Sequence, residues 1–168
     1  MFTVEKATKL LNVCYKEYPS LQDYLIEIKE GKEFSCTNDF LGSVITIINK
    51  SKEDYFSKYI RRYLIKEFDL DSNNYVFNDF LECFSFLHEV GHIYYNDMNS
   101  SNEVYNAYKE KVYDSHYQAF NEYRHIEGEN LADSFAVTML KNQPINIYSI
   151  MNEISIDRAN EEYNFWNV

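Results

Sequence analysis

The sequence predicts one α+β domain over residues 1–168, predominantly helical, with a small sheet beside a central helix. Three observations carry that expectation. The 168-residue chain is long enough to bury a single sizeable core. Four Gly and two Pro are too few breakers for a turn-dense β-sandwich, a collagen-like repeat or a proline-rich linker. Most apolar residues recur at helical spacing, whereas residues 32–50 are β-branched and aromatic.

Taken in order, Val4, Ala7, Leu10, Leu11, Cys14, Tyr15 and Tyr18 share a helical period that Pro19 breaks. A second short helix is expected from Leu21 to Glu30, where Gly31 stops it. Phe34 and Cys36 then alternate, and Ser43 to Asn49 reads as a buried strand. Ser51 is the expected N-cap of a helix running through Glu67. A polar turn follows from Asp69 to Asn74, Tyr75-Val76-Phe77 reads as a short strand, and Asn78 caps a helix over residues 79–95. That helix carries Phe80, Leu81, Phe84, Leu87 and Ile93 as apolar positions. Beyond the polar run 96–102, one tyrosine-rich helix is expected over 103–124 and another over 127–140, ended by Pro144. The tail from Ile145 to Asn160 reads as one further helix.

Charge narrows the partners. Asp and Glu number 27 against 16 Lys and Arg, a net charge of −11, so nucleic acid is not an expected partner and a basic protein or peptide is. The densest basic cluster, Lys58, Arg61, Arg62 and Lys66, is interleaved with Tyr59, Tyr63, Leu64 and Glu67, as on an ordinary amphipathic helix. The aliphatic stretch from Val44 to Ile48 falls far short of the ~20 residues a bilayer span needs. The first residues lack a basic segment followed by an apolar one, so neither a membrane association nor an export signal is expected. Cys14, Cys36 and Cys83 are odd in number, widely spaced and without a CxxC pair, which fits a reducing, cytoplasmic compartment. The 16 Tyr and 12 Phe are read as a compositional habit rather than as a stacking surface.

The chemistry lies in His88-Glu89-Val90-Gly91-His92, an HExxH motif on the 79–95 helix. Histidines at i and i+4 project from one helix face and can share one Zn²⁺, and the intervening Glu89 sits beside the metal as a general base. Chance would produce such a motif in a chain like this with a probability on the order of one in a hundred. A catalytic zinc needs a third protein ligand, and Glu129 is the expected one. Glu129, Ala132, Asp133 and Ala136 share a helix face whose two alanines allow close approach to the histidine helix. Asp133, one turn on, is placed to accept the free N–H of a ligand histidine. His125, read as one turn before Glu129 on the same side, is a competing ligand, whereas Glu127 points away. Tyr94, Tyr95, His116, Tyr123, Arg124 and His125 are candidates to stabilise an oxyanion or touch substrate, Tyr95, Tyr123 and His125 foremost. Cys83 lies off the ligand face and reads as a buried thiol. An interior helical glycine at Gly91 points to close backbone approach by another element.

The HExGH block at His88–His92, followed by Glu129-Asn130-Leu131-Ala132-Asp133-Ser134-Phe135-Ala136 and by Met139-Leu140 before Pro144, resembles the ImmA/IrrE family of zinc metallopeptidases. It is also similar to the wider gluzincin pattern, in which the downstream Glu of ExxxD binds zinc and the Asp buttresses a histidine. The resemblance covers a motif core at about residues 75–144. It implies a zincin-like fold, His88, His92 and Glu129 as zinc ligands, Glu89 as catalytic base and Asp133 behind a ligand histidine. It further implies cleavage of a specific protein, such as a transcriptional repressor of a mobile element, phage or stress response. The 36 residues between His92 and Glu129 are more than is usual in the family, and 103–124 reads as an insertion that caps or narrows the cleft. The alternative from another class is a non-catalytic acidic binding protein, an antirepressor or an inhibitor of a nucleic-acid-binding protein, that keeps the zinc site. A purely structural zinc domain is disfavoured, because it would want a fourth protein ligand.

Overall fold

Thr3 starts the first helix, its hydroxyl accepting the Lys6 N–H at 3.2 Å as an N-cap of α1 (Val4–Glu17). In this computed structural model the described residues are 2–31, 35–39, 42–47, 55–69, 80–95 and 102–166. Pro19 ends the helical run and opens a short 3-10 turn, Pro19–Asp23. The chain then enters a strand, β1 (Ile26–Glu30), where a helix was expected from Leu21 to Glu30. Ile26 and Ile28 alternate with Glu27 and Lys29, and this period of two prevails once a partner strand is available.

That partner is β3 (Gly42–Ile47), the centre of a three-stranded sheet in the order β1-β3-β2, with β2 (Ser35–Asp39) on its other side. β1 runs parallel to β3, with Ile28 opposite Ile45, and β2 antiparallel, with Cys36 opposite Ile45. Ser43, Ile45 and Ile47 are buried while Val44 and Thr46 are partly exposed, the alternation of a strand with one face on a core. Gly42 has φ +148°, and a Cβ there would lie 2.6 Å from the Leu25 carbonyl oxygen, the atom that accepts the Ser43 N–H at 2.8 Å.

Helix α2 (Tyr55–Phe68) buries Ile60, Tyr63 and Leu64. The expected cap Ser51, the strand Tyr75-Val76-Phe77, the cap Asn78 and most of the polar runs after Asp69 and Tyr95 lie outside the described residues. Helix α3 (Phe80–Tyr95) is the spine. Phe80, Cys83, Phe84, Phe86, Leu87, Val90 and Ile93 are all buried, so apolar contact surrounds it, as expected of a helix enclosed by neighbours. It packs against β2, β3, α1 and, most extensively, α6 (Glu127–Asn142), which buries Ala132, Phe135, Ala136, Met139 and Leu140.

The expected helix over 103–124 is two, α4 (Asn102–Glu110) and α5 (His116–Arg124). Ser115 makes the break, its hydroxyl capping α5 by accepting the Gln118 N–H at 3.2 Å, while the Asp114 N–H donates to Gln118 Oε1 at 2.9 Å. The expected tail helix also divides, into α7 (Pro144–Asn152) and α8 (Ile156–Trp166). Pro144 begins α7 rather than merely ending α6, since the first turn of a helix needs no N–H from it. Glu153, at φ 58°, turns the chain left-handed between α7 and α8, and the Ser149 hydroxyl donates to the Ile154 carbonyl at 2.6 Å. A buried Lys6 Nζ donates to the Met151 carbonyl at 2.8 Å, tying α1 to the end of α7.

The architecture is thus mostly helical, with eight α-helices and one small sheet among the described residues. No described helix is long and apolar enough to cross a membrane. Cys14 and Cys83 are buried free thiols and Cys36 is half-buried; burial pushes the Cys14 thiol up to about 12.

Gly91 governs how α3 meets α6. A Cβ at Gly91 would lie 2.8 Å from Ala132 Cα, 2.9 Å from Ala132 O and 3.0 Å from Phe135 Cβ. Two of these atoms are backbone, so relief requires the helices to separate. Gly91→Ala gains about 1 kcal/mol of helix propensity, yet overpacking costs about 1–3 kcal/mol, so we expect net destabilisation. Urea denaturation of the two proteins checks this, with a lower midpoint for the variant as the expected result.

Candidate metal centre

His88 and His92 stand one turn apart on α3, and both are buried. The close approach of α6 brings Glu129 and Asp133, from its first two turns, against them. One donor atom from each of His88, His92 and Glu129 lies within 4.8 Å of the other two. His88 Nε2 is 3.0 Å from His92 Nε2 and 3.3 Å from Glu129 Oε2, while His92 Nε2 is 3.9 Å from Glu129 Oε1. Ligands at ~2.0–2.1 Å from a tetrahedral ion are separated from one another by about 3.3–3.4 Å. The two edges at His88, 3.0 Å and 3.3 Å, lie close to that value, and with one donor from each residue inside 4.8 Å this buried set could hold a metal ion.

The surroundings fix the donors. Asp133 Oδ1 lies 2.8 Å from His88 Nδ1 and accepts its N–H, so Nε2 is the ring nitrogen directed at His92 and Glu129. Asp133 is fully buried and is itself held by Arg124, the last residue of α5, whose Nη1 donates to Oδ1 at 2.9 Å. The same Nη1 stands 3.7 Å from Glu129 Oε2, so one buried guanidinium lies between two buried carboxylates. The Tyr63 hydroxyl of α2 reaches the Arg124 carbonyl at 3.4 Å, and burial together with nearby Asp133 pushes its ionisation well above the ordinary value. Glu129 Oε1 accepts hydroxyl hydrogen bonds from Tyr123 at 2.7 Å and Tyr105 at 3.0 Å.

These contacts act on protonation in the metal-free protein. Burial raises the Glu129 carboxyl, but His88, Tyr123 and His92 overcome it and hold the group at about 2. Burial lowers His88, but the hydrogen bonds to Asp133 and Glu129 lift it to about 9. Glu89, next to His88 and partly exposed, has its carboxyl pushed up by desolvation, with Glu129 adding to the rise and both histidines opposing it.

The structure therefore gathers His88, His92, Glu129 and Asp133, with Glu89 alongside in sequence. One expectation needs correction. His125 is not at the cluster: exposed, it caps the end of α5, donates from Nδ1 to the Asn121 carbonyl at 2.7 Å and lies 4.0 Å from Glu67 Oε2. Its assumed position one turn before Glu129 fails because α5 and α6 are separate helices. Tyr95 is 41% exposed and packs its ring on Tyr94, with no hydrogen bond to the cluster among the described residues. His116 and Glu127 are exposed, and Tyr94 packs against Tyr18 and Phe135. Tyr123 and Arg124, expected near substrate, contact Glu129 and Asp133. Tyr105 and Tyr63 were not anticipated. Sixteen tyrosines dilute any signal from two, although a buried Glu, Asp and His cluster does call for nearby donors. Comparison of the chain with models of protein families, with curated proteins and with solved structures finds no match.

We expect one divalent ion per chain by elemental analysis, lost in His88→Ala and His92→Ala. Asp133→Ala should weaken affinity by about 10–100-fold, because it frees rather than removes a donor. His125→Ala and Glu127→Ala should bind as wild type does. Protonation of His88 stabilises the metal-free fold fully below about pH 6.5, and that contribution is lost as the pH rises through about 9. Metal must displace this proton, so affinity should rise with pH across that window. Calorimetric titration in buffers of different ionisation enthalpy counts the proton released.

Proposed function

We propose that the chain is a zinc-dependent endopeptidase of the ImmA/IrrE type with a zincin-like core. The observation that carries this is the buried His88, His92 and Glu129 donor cluster, with Glu89 beside its first member. Two imidazole nitrogens and one carboxylate suit zinc better than calcium or magnesium, which prefer all-oxygen sites. Bound there, zinc supplies a Lewis acid that polarises a carbonyl and acidifies water.

The chain's own residues do the rest. Glu89 takes a proton from the attacking water and passes it to the departing amine, a role favoured by a carboxyl whose basicity burial has raised. Asp133 keeps His88 in one tautomer, and Arg124 offsets the carboxylate charge behind it. The substrate is a basic protein, such as the transcriptional repressor of a mobile element or stress response, attracted by the net charge of −11. A cytoplasmic setting agrees with three free thiols. That acidity serves equally an antirepressor that binds without cutting, and one variant separates the two readings.

Glu89→Gln is isosteric and keeps every donor of the cluster, so fold and metal content should be retained. Zinc-loaded wild type and Glu89→Gln, incubated with a panel of purified DNA-binding repressors and resolved on gels, form the test. The wild type should cleave at least one, and the variant should be about 10²–10⁴-fold slower while still binding it. Stable complexes without fragments would establish stoichiometric binding instead, and full-rate cleavage by the variant would remove Glu89 from the base role.

A further inference from the structure

One oxygen of Glu129 receives two hydroxyl donors. Tyr105, from α4, donates to Oε1 at 3.0 Å, and Tyr123, from α5, donates to the same atom at 2.7 Å. Oε2 is placed differently, 3.3 Å from His88 Nε2, with Arg124 Nη1 at 3.7 Å, beyond hydrogen-bond distance. The two tyrosines brace each other, with ring centroids 6.2 Å apart, and Tyr108 of α4 packs on Tyr123 at 5.5 Å. All three belong to the long spacer between His92 and Glu129. An ionised carboxylate oxygen has two lone-pair sites. Two donors on Oε1 occupy both, whereas Oε2 keeps a lone pair for a cation.

Building on the metal-centre reading, we propose that Tyr105 and Tyr123 are positioning residues that make Glu129 a one-oxygen ligand and thereby reserve a coordination position for water and substrate. A carboxylate with both oxygens available can chelate one ion, and with two imidazoles and the water that makes five donors, crowding the position that substrate needs. Oε1 is near enough to do so, 3.9 Å from His92 Nε2. The two hydroxyls hold it back. Hydrogen bonds to a charged acceptor are roughly twice as strong as neutral ones, so the pair restrains the carboxylate firmly. The spacer thus has a chemical task at the metal as well as covering it: α4 contributes one of the two hydroxyls that set the denticity of a ligand on α6.

Cobalt(II) is the probe, because its visible ligand-field bands weaken as the coordination number rises above four. Metal-free full chains of wild type, Tyr105→Phe, Tyr123→Phe and the double variant are each loaded with one equivalent of cobalt. Strong bands are expected for wild type, severalfold weaker bands for the double variant and intermediate ones for the singles. Tyr113→Phe is the structural control, since its hydroxyl donates to the Tyr108 carbonyl at 2.9 Å in the same segment and not to Glu129; its bands should match wild type. Full cobalt loading with unchanged bands in the double variant overturns the proposal, as does an equal loss in Tyr113→Phe. Should circular dichroism show the double variant unfolded, Tyr105→Phe decides alone: half-buried, it loses only a hydroxyl, and wild-type bands in it overturn the proposal. A wild-type chain that takes up no cobalt overturns the metal-centre reading itself, and the proposal with it.

Discussion

Everything at the centre depends on the contact between the backbones of α3 and α6 at Gly91 and Ala132. A methyl group at Gly91 would come within 3.0 Å of Ala132 and Phe135, so the two helices are as close as their main chains permit. That spacing lets short side chains meet across the interface. His88 reaches Asp133 at 2.8 Å and Glu129 at 3.3 Å with both helices held in place by apolar packing elsewhere along their length. A separation larger by the width of a methyl would leave the histidines and the carboxylates facing one another without contact.

The polar contents of this interface are not explained by stability. Two histidines, two carboxylates and a guanidinium are all buried together. Each group costs several kcal/mol to desolvate, and replacing a buried ionic cluster by apolar residues of similar volume is often neutral or stabilising. Here the groups are linked in a chain: Arg124 holds Asp133, Asp133 holds His88, and Tyr105 and Tyr123 hold Glu129. Such an arrangement presets donor atoms in one geometry before any ligand arrives, which is the advantage a metal site draws from a rigid scaffold.

The legible parts of the molecule were those fixed by spacing within one helix. His88, Glu89 and His92 fall on one turn of α3, and Glu129, Ala132, Asp133 and Ala136 on one face of α6, so periodicity alone related them. Gly91 announced the close approach because an interior glycine weakens a helix unless space demands it. What depended on partners distant in sequence was not legible. Ile26 and Ile28 alternate as a strand does, but the pattern prevails over a helix only because β3 lies alongside. The break at 111–115 rests on the Ser115 cap, and missing it placed His125 in register with Glu129, although α5 has already ended. Tyr105 reaches Glu129 across 24 residues, a distance no local pattern encodes.

His88, His92 and Glu129 form a group that could hold a metal ion, and zinc is the ion proposed for it. Crystals grown from protein expressed with zinc, measured on either side of the zinc absorption edge, test it most directly. The account predicts one strong anomalous peak per chain, about 2.0–2.1 Å from His88 Nε2, His92 Nε2 and one oxygen of Glu129. A map with no peak there, the three side chains bonded only to one another and any zinc confined to exposed carboxylates, would contradict it.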